Sequence, residues 1–125
     1  MKNILSTLLA FVVFSVVNSC SYDNEEQLFG IQNCDTLSMS FEMDISPIIN
    51  EHCISCHGEE TPSAGLSLMN YNEFVISAND DTYSGIINRI QRAEGEVGAM
   101  PTNYRLSQCD IEYIKAWVAQ GSLNN

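Results

Sequence analysis

The chain has 125 residues and is strongly acidic, with 16 Asp and Glu residues against 5 Lys and Arg residues and a formal net charge of −11. Such a surface repels phosphate backbones, which excludes nucleic acid as a partner and favours a basic protein surface instead. The length suits one domain with a modest core.

The N-terminus has the pattern of an export signal. Lys2 precedes a mostly apolar run over residues 4–17. The run falls short of the roughly 20 residues that a membrane span needs, so it predicts a cleaved signal peptide over residues 1–19. It ends in Val17-Asn18-Ser19-Cys20, which resembles the lipobox of bacterial lipoproteins. This resemblance implies that Cys20 is lipidated and that the protein is anchored to a membrane of the cell envelope. The alternative is ordinary secretion, with Cys20 as a loose thiol.

Residues 20–39 are predicted to be an acidic tether between the lipid and a folded domain at 40–125. The segment is polar and holds an acidic cluster that includes Asp23, Glu25 and Glu26. A cluster of this kind favours solvation over folding.

The first predicted helix carries the most specific motif of the chain. Ser46-Pro47 indicates an N-cap followed by proline at the first helical position, and the helix should run to about His57. It contains Cys53-Ile54-Ser55-Cys56-His57, the attachment signature of a c-type haem. Cys53 and His57 lie four positions apart and share a helix face, with Cys56 beside it. Two thiols can therefore reach the vinyl groups of one porphyrin while the imidazole faces the iron.

Other sites are compatible with these cysteines. Cys-x-x-Cys is also half of a zinc site, for which Cys34 and Cys109 could supply the other two thiolates. It could also be a redox pair of thiols, although such a pair is typical of a βαβ setting that this sequence lacks. Neither alternative requires the histidine at position 57.

Two short helices are predicted in the middle of the chain. Asn70 and Glu73 form a pattern like a capping box at the start of the first. The spacing of Ile86, Ile87 and Ile90 predicts an amphipathic second helix, which Gly95 should end. This helix carries Arg89 and Arg92, each of which could pair with a haem propionate or lie solvated on the outer face.

Met100 is the predicted second axial ligand of the haem iron. It lies in the loop Gly98-Ala99-Met100-Pro101, 43 positions beyond His57. A thioether is a soft ligand that suits haem iron. Met69 is the best substitute, and an open or water-ligated site is the other alternative. His52 directly precedes Cys53 on the helix of the motif and cannot reach the opposite side of the ring.

The last helix is the best-defined element of the sequence. Ser107 and Asp110 match the capping pattern, and Gly121 is a natural end. The intervening apolar stripe, with helical spacing, consists of Ile111, Ile114, Trp117 and Val118. Cys109 lies at the start of this helix. Export favours a disulfide between it and Cys34, although two free thiols are the alternative.

Together these features resemble the small single-haem cytochrome c domain of exported bacterial proteins, many of which are lipoproteins. The matching residues are Cys53-Ile54-Ser55-Cys56-His57, Ala64-Gly65-Leu66-Ser67-Leu68, Met100-Pro101, Ile114-Lys115-Ala116-Trp117 and Gly121. The resemblance implies an all-α fold whose N- and C-terminal helices pack across each other, with haem c between helices and loops. It also implies a polar group shortly after the motif, expected between Gly58 and Gly65, that orients the imidazole.

The function implied by this resemblance is electron transfer by one covalent haem with His57 and Met100 as axial ligands. The protein is then not an enzyme and needs no small-molecule substrate, because both axial positions are filled. The partner is a redox protein with a basic docking face, met near the membrane. The alternatives are a haem enzyme or ligand sensor with an open distal site, and a structural zinc-binding lipoprotein.

Overall fold

A computed structural model describes residues 33–58 and 60–125 of the chain. The described residues are all-α and contain no strand. The predicted signal peptide, Cys20 and most of the predicted tether lie outside them. Along the chain the elements are a π-helical segment (Phe41–Ile45), α1 (Ser46–His52), α2 (Ile54–His57), a 3-10 turn (Ser63–Gly65), α3 (Tyr71–Ala78), α4 (Ile86–Ile90) and α5 (Gln108–Ala119).

Thr36 and Met39, at the end of the predicted tether, contact the last helix. The side chain of Gln120, at the end of α5, holds this earlier segment. It accepts a hydrogen bond from the Met39 N–H at 2.9 Å and donates one to the Thr36 carbonyl at 2.7 Å. The Met39 side chain is buried in the core. The end of the predicted tether is therefore packed against the domain.

The helical backbone begins earlier than predicted, at Phe41 instead of Ser46. The Ser40 hydroxyl accepts a hydrogen bond from the Met43 N–H, and the Ser40 N–H donates to Asp44 Oδ2 at 2.7 Å. These bonds satisfy backbone groups that the first helical turn would leave unpaired. Ser46 lies inside the continuous helical backbone, with φ −57° and ψ −40°, so its prediction as the N-cap is wrong.

The indole of Trp117 lies at the centre of the core and has no solvent exposure. The rings of Phe41, Phe74 and Tyr71 surround it, with centroids 5.5, 5.8 and 6.2 Å away. Its Nε1–H donates to the Leu123 carbonyl at 2.9 Å, which satisfies the one polar atom of the indole. The last helix thereby packs against the first helical segment.

Helix α5 forms as predicted, because its local signals agree. The Ser107 hydroxyl accepts a hydrogen bond from the Asp110 N–H at 3.1 Å. At the other end, Gly121 has φ +100°, and the N–H groups of Gly121 and Ser122 donate back to the carbonyls of Val118 and Trp117. This pair of bonds is the Schellman motif, in which glycine takes the left-handed position without a Cβ clash. The stripe residues Ile111, Ile114 and Trp117 are buried, and Val118 is partly buried.

The middle helices follow the prediction at their beginnings more closely than at their ends. Asn70 caps α3 by accepting the Glu73 N–H at 3.1 Å. Helix α4 stops at Ile90 and does not continue to Gly95. The chain turns after Ile90, where the Glu96 N–H bonds the Ala93 carbonyl and the Glu96 carboxylate accepts the Ala93 N–H.

Candidate functional site

The Cys-x-x-Cys-His motif lies on one helical turn. Cys53 separates α1 from α2 with φ −115° and ψ −39°, a distortion that does not break the hydrogen-bond ladder. Its N–H donates to the Ile49 carbonyl at 2.8 Å, and its own carbonyl accepts the His57 N–H at 2.9 Å. Cys53 and His57 are thus one turn apart on the same face, as their spacing predicts.

The thiols of Cys53 and Cys56 are free. The Cys53 side chain is partly buried and packs against the apolar core, whereas Cys56 is exposed. Burial raises the pKa of the Cys53 thiol to about 11, so that it stays protonated at neutral pH.

The His57 imidazole is fixed by a backbone carbonyl. Its Nδ1–H donates to the Leu66 carbonyl oxygen at 2.8 Å. Because a carbonyl can only accept, Nδ1 is the donor in this bond, which leaves Nε2 as the ring nitrogen available to bind a metal. The orienting group was expected between Gly58 and Gly65 and lies one residue later, at Leu66.

The loop after the motif returns to the helix that it leaves. The Leu68 N–H donates to the His57 carbonyl at 2.9 Å. Ala64 and Gly65 have φ values of +56° and +70° and reverse the chain direction. A Cβ on Gly58 would overlap the Ile54 side chain, so the tight exit from α2 requires glycine. The sequence between the motif and Leu66 thus positions the carbonyl that holds His57.

His52, the second histidine, is held by other side chains. Its Nδ1 lies 3.0 Å from the Tyr104 hydroxyl, and its Nε2 lies 4.0 Å from Asp110 Oδ2. Burial, and next the neighbouring Cys53, raise the pKa of Tyr104, so the phenol keeps its proton. The bond between His52 and Tyr104 ties α1 to the segment that follows Met100. No pattern in the sequence indicated a role for Tyr104.

Met100 is half-buried and precedes a cis peptide bond to Pro101. Its N–H donates to the Arg89 carbonyl at 3.1 Å, which fastens the loop to the end of α4. The neighbouring Ala99 is buried. Met69, the substitute ligand weighed from the sequence, has a side chain that is 62% exposed.

Arg92 is buried, with only 8% of its surface exposed, so the predicted solvated position is wrong for this residue. Its Nη1 donates to the Val97 carbonyl at 2.7 Å, and its Nη2 donates to the Tyr83 carbonyl and to Asn88 Oδ1, both at 3.0 Å. Arg89 donates to nearby backbone carbonyls in the same region. A contact with a haem propionate stays a prediction for both arginines.

Cys34 and Cys109 form a disulfide that closes a separation of 75 positions. It joins the segment before the first helix to the second residue of α5. The zinc set weighed above would need these two thiolates, and the disulfide takes both. Among residues 33–58 and 60–125, no group of three or more His, Cys, Asp or Glu side chains could hold a metal ion.

Comparisons with protein-family models, curated proteins and solved structures found no match to this chain. The functional assignment therefore depends on the residues themselves. Where the structure describes the chain, no helix has the length and apolar character to cross a membrane.

The side chains of the motif fit a covalently attached haem. Two free thiols and an imidazole whose Nε2 is not engaged by the Leu66 carbonyl share one helical turn. Cys56 is accessible and Cys53 lies beside apolar side chains, which suits contact with a large apolar macrocycle. Histidine is an established axial ligand of haem iron.

Proposed function

We propose that this protein binds one haem c covalently and transfers single electrons. The observation that carries the proposal is the hydrogen bond from His57 to the Leu66 carbonyl. His57 shares its helical turn with two free thiols, those of Cys53 and Cys56. An imidazole held in this tautomer and orientation is the arrangement expected of an axial ligand. The cytochrome c fold is part of the proposal and agrees with the all-α architecture.

Attachment needs both thiols of the motif in the reduced state. Each thiol of Cys53 and Cys56 adds across one vinyl group: the S–H bond breaks, an S–C bond forms and the hydrogen goes to the adjacent vinyl carbon. No oxidant or reductant is consumed in this addition. The Cys34–Cys109 disulfide supports the scheme, because it pairs the two other cysteines of the domain and leaves the motif reduced.

Axial ligation follows from the two predicted ligands. His57 would bind the iron through Nε2, because its Nδ1–H is already bonded. Met100, 43 positions further along the chain, would bind it through its thioether sulfur. The haem supplies an iron that alternates between the ferric and ferrous states, and a histidine–methionine pair raises its potential. With both positions filled, no substrate reaches the iron, which favours a carrier over an enzyme or a gas sensor.

The charge distribution supports a basic redox partner. Removing residues 1–19 takes away one lysine and no acidic residue, which leaves a formal charge of −12 on the mature chain. Positive charge that could offset this surface is scarce, since Arg92 is buried and Lys115 pairs with Glu112 at 2.9 Å. Lipid on Cys20 and the acidic tether would keep the domain near membrane-bound partners in the cell envelope.

The proposal is tested by haem staining of the exported protein on a denaturing gel, together with its absorption spectrum. The wild-type band should stain for haem and survive acid-acetone extraction, since the haem is covalent. The double variant Cys53→Ser, Cys56→Ser should lose the stain. Ser55→Ala is the matched control, because it changes an exposed hydroxyl within the same turn and should stain like the wild type. A colourless wild-type protein would overturn the proposal.

A further inference from the structure

Arginine side chains connect the two ends of the segment from Tyr83 to Gly98, which contains α4. Arg92 donates to the carbonyls of Tyr83 and Val97, which lie at the two ends of this segment. Its guanidinium carbon lies 3.7 Å from the centroid of the Tyr83 ring, at stacking distance. The Tyr83 hydroxyl donates to the same Val97 carbonyl at 3.2 Å. One guanidinium therefore joins both ends of the loop.

Arg89, three positions before Arg92, also bonds to both ends of this segment. Its Nε donates to the Ser84 carbonyl at 3.0 Å, and its Nη1 to the Gly98 carbonyl at 3.3 Å. Its backbone carbonyl accepts the Met100 N–H. The two arginines thus hold the residues that immediately precede Met100.

Gly98 has a backbone that approaches these guanidinium groups closely. Its φ is +80°, and an added Cβ would overlap Nη1 of Arg92 and lie 3.1 Å from Nη1 of Arg89. Only glycine leaves room for this approach. The glycine and the arginines are therefore parts of a single packing arrangement.

We propose that Arg92 is a positioning residue for Met100: by clamping the loop through Tyr83 and Val97, it holds the methionine sulfur where it can bind iron. This inference rests on the proposed function. Burying a guanidinium without a carboxylate is costly unless its donors are paired, and here two backbone carbonyls and the Asn88 amide oxygen pair them. The planar fork of arginine suits these converging acceptors, and lysine cannot reproduce it.

The test uses the haem-loaded exported protein and the variants Arg92→Met, Arg92→Lys and Arg105→Met. Arg105 is exposed, and its side chain has no hydrogen bond or ion pair within the described residues. Its variant therefore controls for the lost charge. Arg92→Met should lose most of the far-red ferric band that reports the iron–methionine bond, and its midpoint potential should fall. Arg92→Lys should be intermediate, and Arg105→Met should match the wild type.

Amide hydrogen exchange separates positioning from general stability. In Arg92→Met the Met100 amide should exchange faster by about tenfold or more, because the clamp no longer holds the bond to the Arg89 carbonyl. The Ile114 amide, inside α5, should be unaffected. Equal acceleration at Ile114, or a far-red band in Arg92→Met as strong as in Arg105→Met, would overturn the inference.

A milder variant covers the case in which Arg92→Met does not accumulate. Tyr83→Phe removes only the hydroxyl bond to Val97 and keeps the ring that stacks on Arg92. It should shift the same readouts in the same direction by a smaller amount, and no shift would count against the clamp. A wild-type protein without haem overturns the proposed function and, with it, the role of Met100 toward iron. Unchanged readouts in the variants of a haem-loaded protein overturn the positioning inference alone.

Discussion

The Nδ1–H of His57 donates a hydrogen bond of 2.8 Å to the Leu66 carbonyl, nine positions along the chain. This bond fixes the tautomer of the imidazole and directs its free nitrogen away from the loop. The orientation of His57 therefore depends on the conformation of the loop, because the turn before Leu66 sets the position of its carbonyl. Gly65, with φ +70°, directly precedes that acceptor.

We expect Gly65→Ala to lower the free energy of unfolding by about 1 kcal/mol and to shift the midpoint potential of the haem. The cost is conformational, because an added Cβ at Gly65 would meet open space. Gly121→Ala is the matched control, since Gly121 also has a positive φ and open surroundings. It should be destabilised similarly without a change in potential, and equal potential shifts in both variants would contradict the role of the loop.

Met100→Ala should abolish the far-red ferric band and lower the midpoint potential, because the proposed thioether ligand is lost. Met69→Ala provides the comparison, since the Met69 side chain is 62% exposed and should not contact the iron. Optical redox titration of both variants measures the effect. Loss of the band in Met69→Ala, with the band kept in Met100→Ala, would reassign the sixth ligand.

Ile114→Ala should lower the free energy of unfolding by about 2–5 kcal/mol, because it removes methyl groups from a side chain that is only 1% exposed. The same change at Ile76, which is 75% exposed on α3, should stay within about 0.5 kcal/mol. Urea unfolding followed by circular dichroism measures both. Similar losses at the two positions would show that α5 does not form the core.

Replacing both Cys34 and Cys109 by serine should lower the free energy of unfolding by about 4 kcal/mol in the chain-entropy description of a loop this long. Haem content should stay the same, because the attachment thiols lie elsewhere. Unfolding curves and haem quantification of the folded protein measure the two effects. A loss of less than about 1 kcal/mol would exclude the entropic account for this disulfide.

Glu73 should contribute to the stability of the domain in a pH-dependent manner. Hydrogen bonds, first from the Ser67 hydroxyl and then from the Met69 N–H and Asn70, lower the pKa of this carboxyl from its ordinary value of 4.5. The lowered pKa means that the contribution is present above the ordinary value and is lost as the pH falls through the folded-state pKa. Wild type should therefore exceed Glu73→Gln in urea midpoint at pH 7, and the gap should close in acid.

Glu94→Gln is the control for this comparison. Glu94 is an exposed glutamate whose side chain accepts no hydrogen bond in the part of the chain that the structure describes. Its substitution should leave the urea midpoint near that of the wild type at both pH values. A gap between wild type and Glu73→Gln that persists unchanged in acid would contradict the linkage.

Local signals were enough to predict α5. The cap at Ser107, the stripe through Ile111 and Ile114, and the glycine at position 121 all act within a few residues of the helix that they define. The spacing of the haem motif likewise gave the shared face of Cys53 and His57. Such features depend on short-range geometry, which follows from the spacing of residues in the sequence.

The start of the helical region was misplaced because two capping signals compete. Ser46-Pro47 matches the usual pattern, but Ser40 and Asp44 form an equivalent cap earlier, and Phe41 is needed against Trp117 in the core. Tertiary packing decided between two locally acceptable starts. The extra turn is π-helical, a geometry that the spacing of apolar residues does not indicate.

The environment of Arg92 depends on contacts that the sequence does not state. A charged residue on a short amphipathic helix is usually solvated, and its burial requires carbonyls from two separate parts of the loop. The spacing of Asn88 and Arg92, four apart, was the one signal that could have indicated a side-chain pair. The group that orients His57 was predicted between Gly58 and Gly65, whereas the structure shows the carbonyl of Leu66. Every residue has a backbone carbonyl, so the sequence does not indicate which one accepts the bond.

The central claim, that a haem is bonded to Cys53 and Cys56, is tested most directly by the intact mass of the exported protein under denaturing conditions. Addition of both thiols to vinyl groups conserves every atom, so the mass should equal that of the processed polypeptide plus one whole haem. The Cys53→Ser, Cys56→Ser variant should show the polypeptide alone. A wild-type protein with the mass of the bare processed polypeptide would contradict the account.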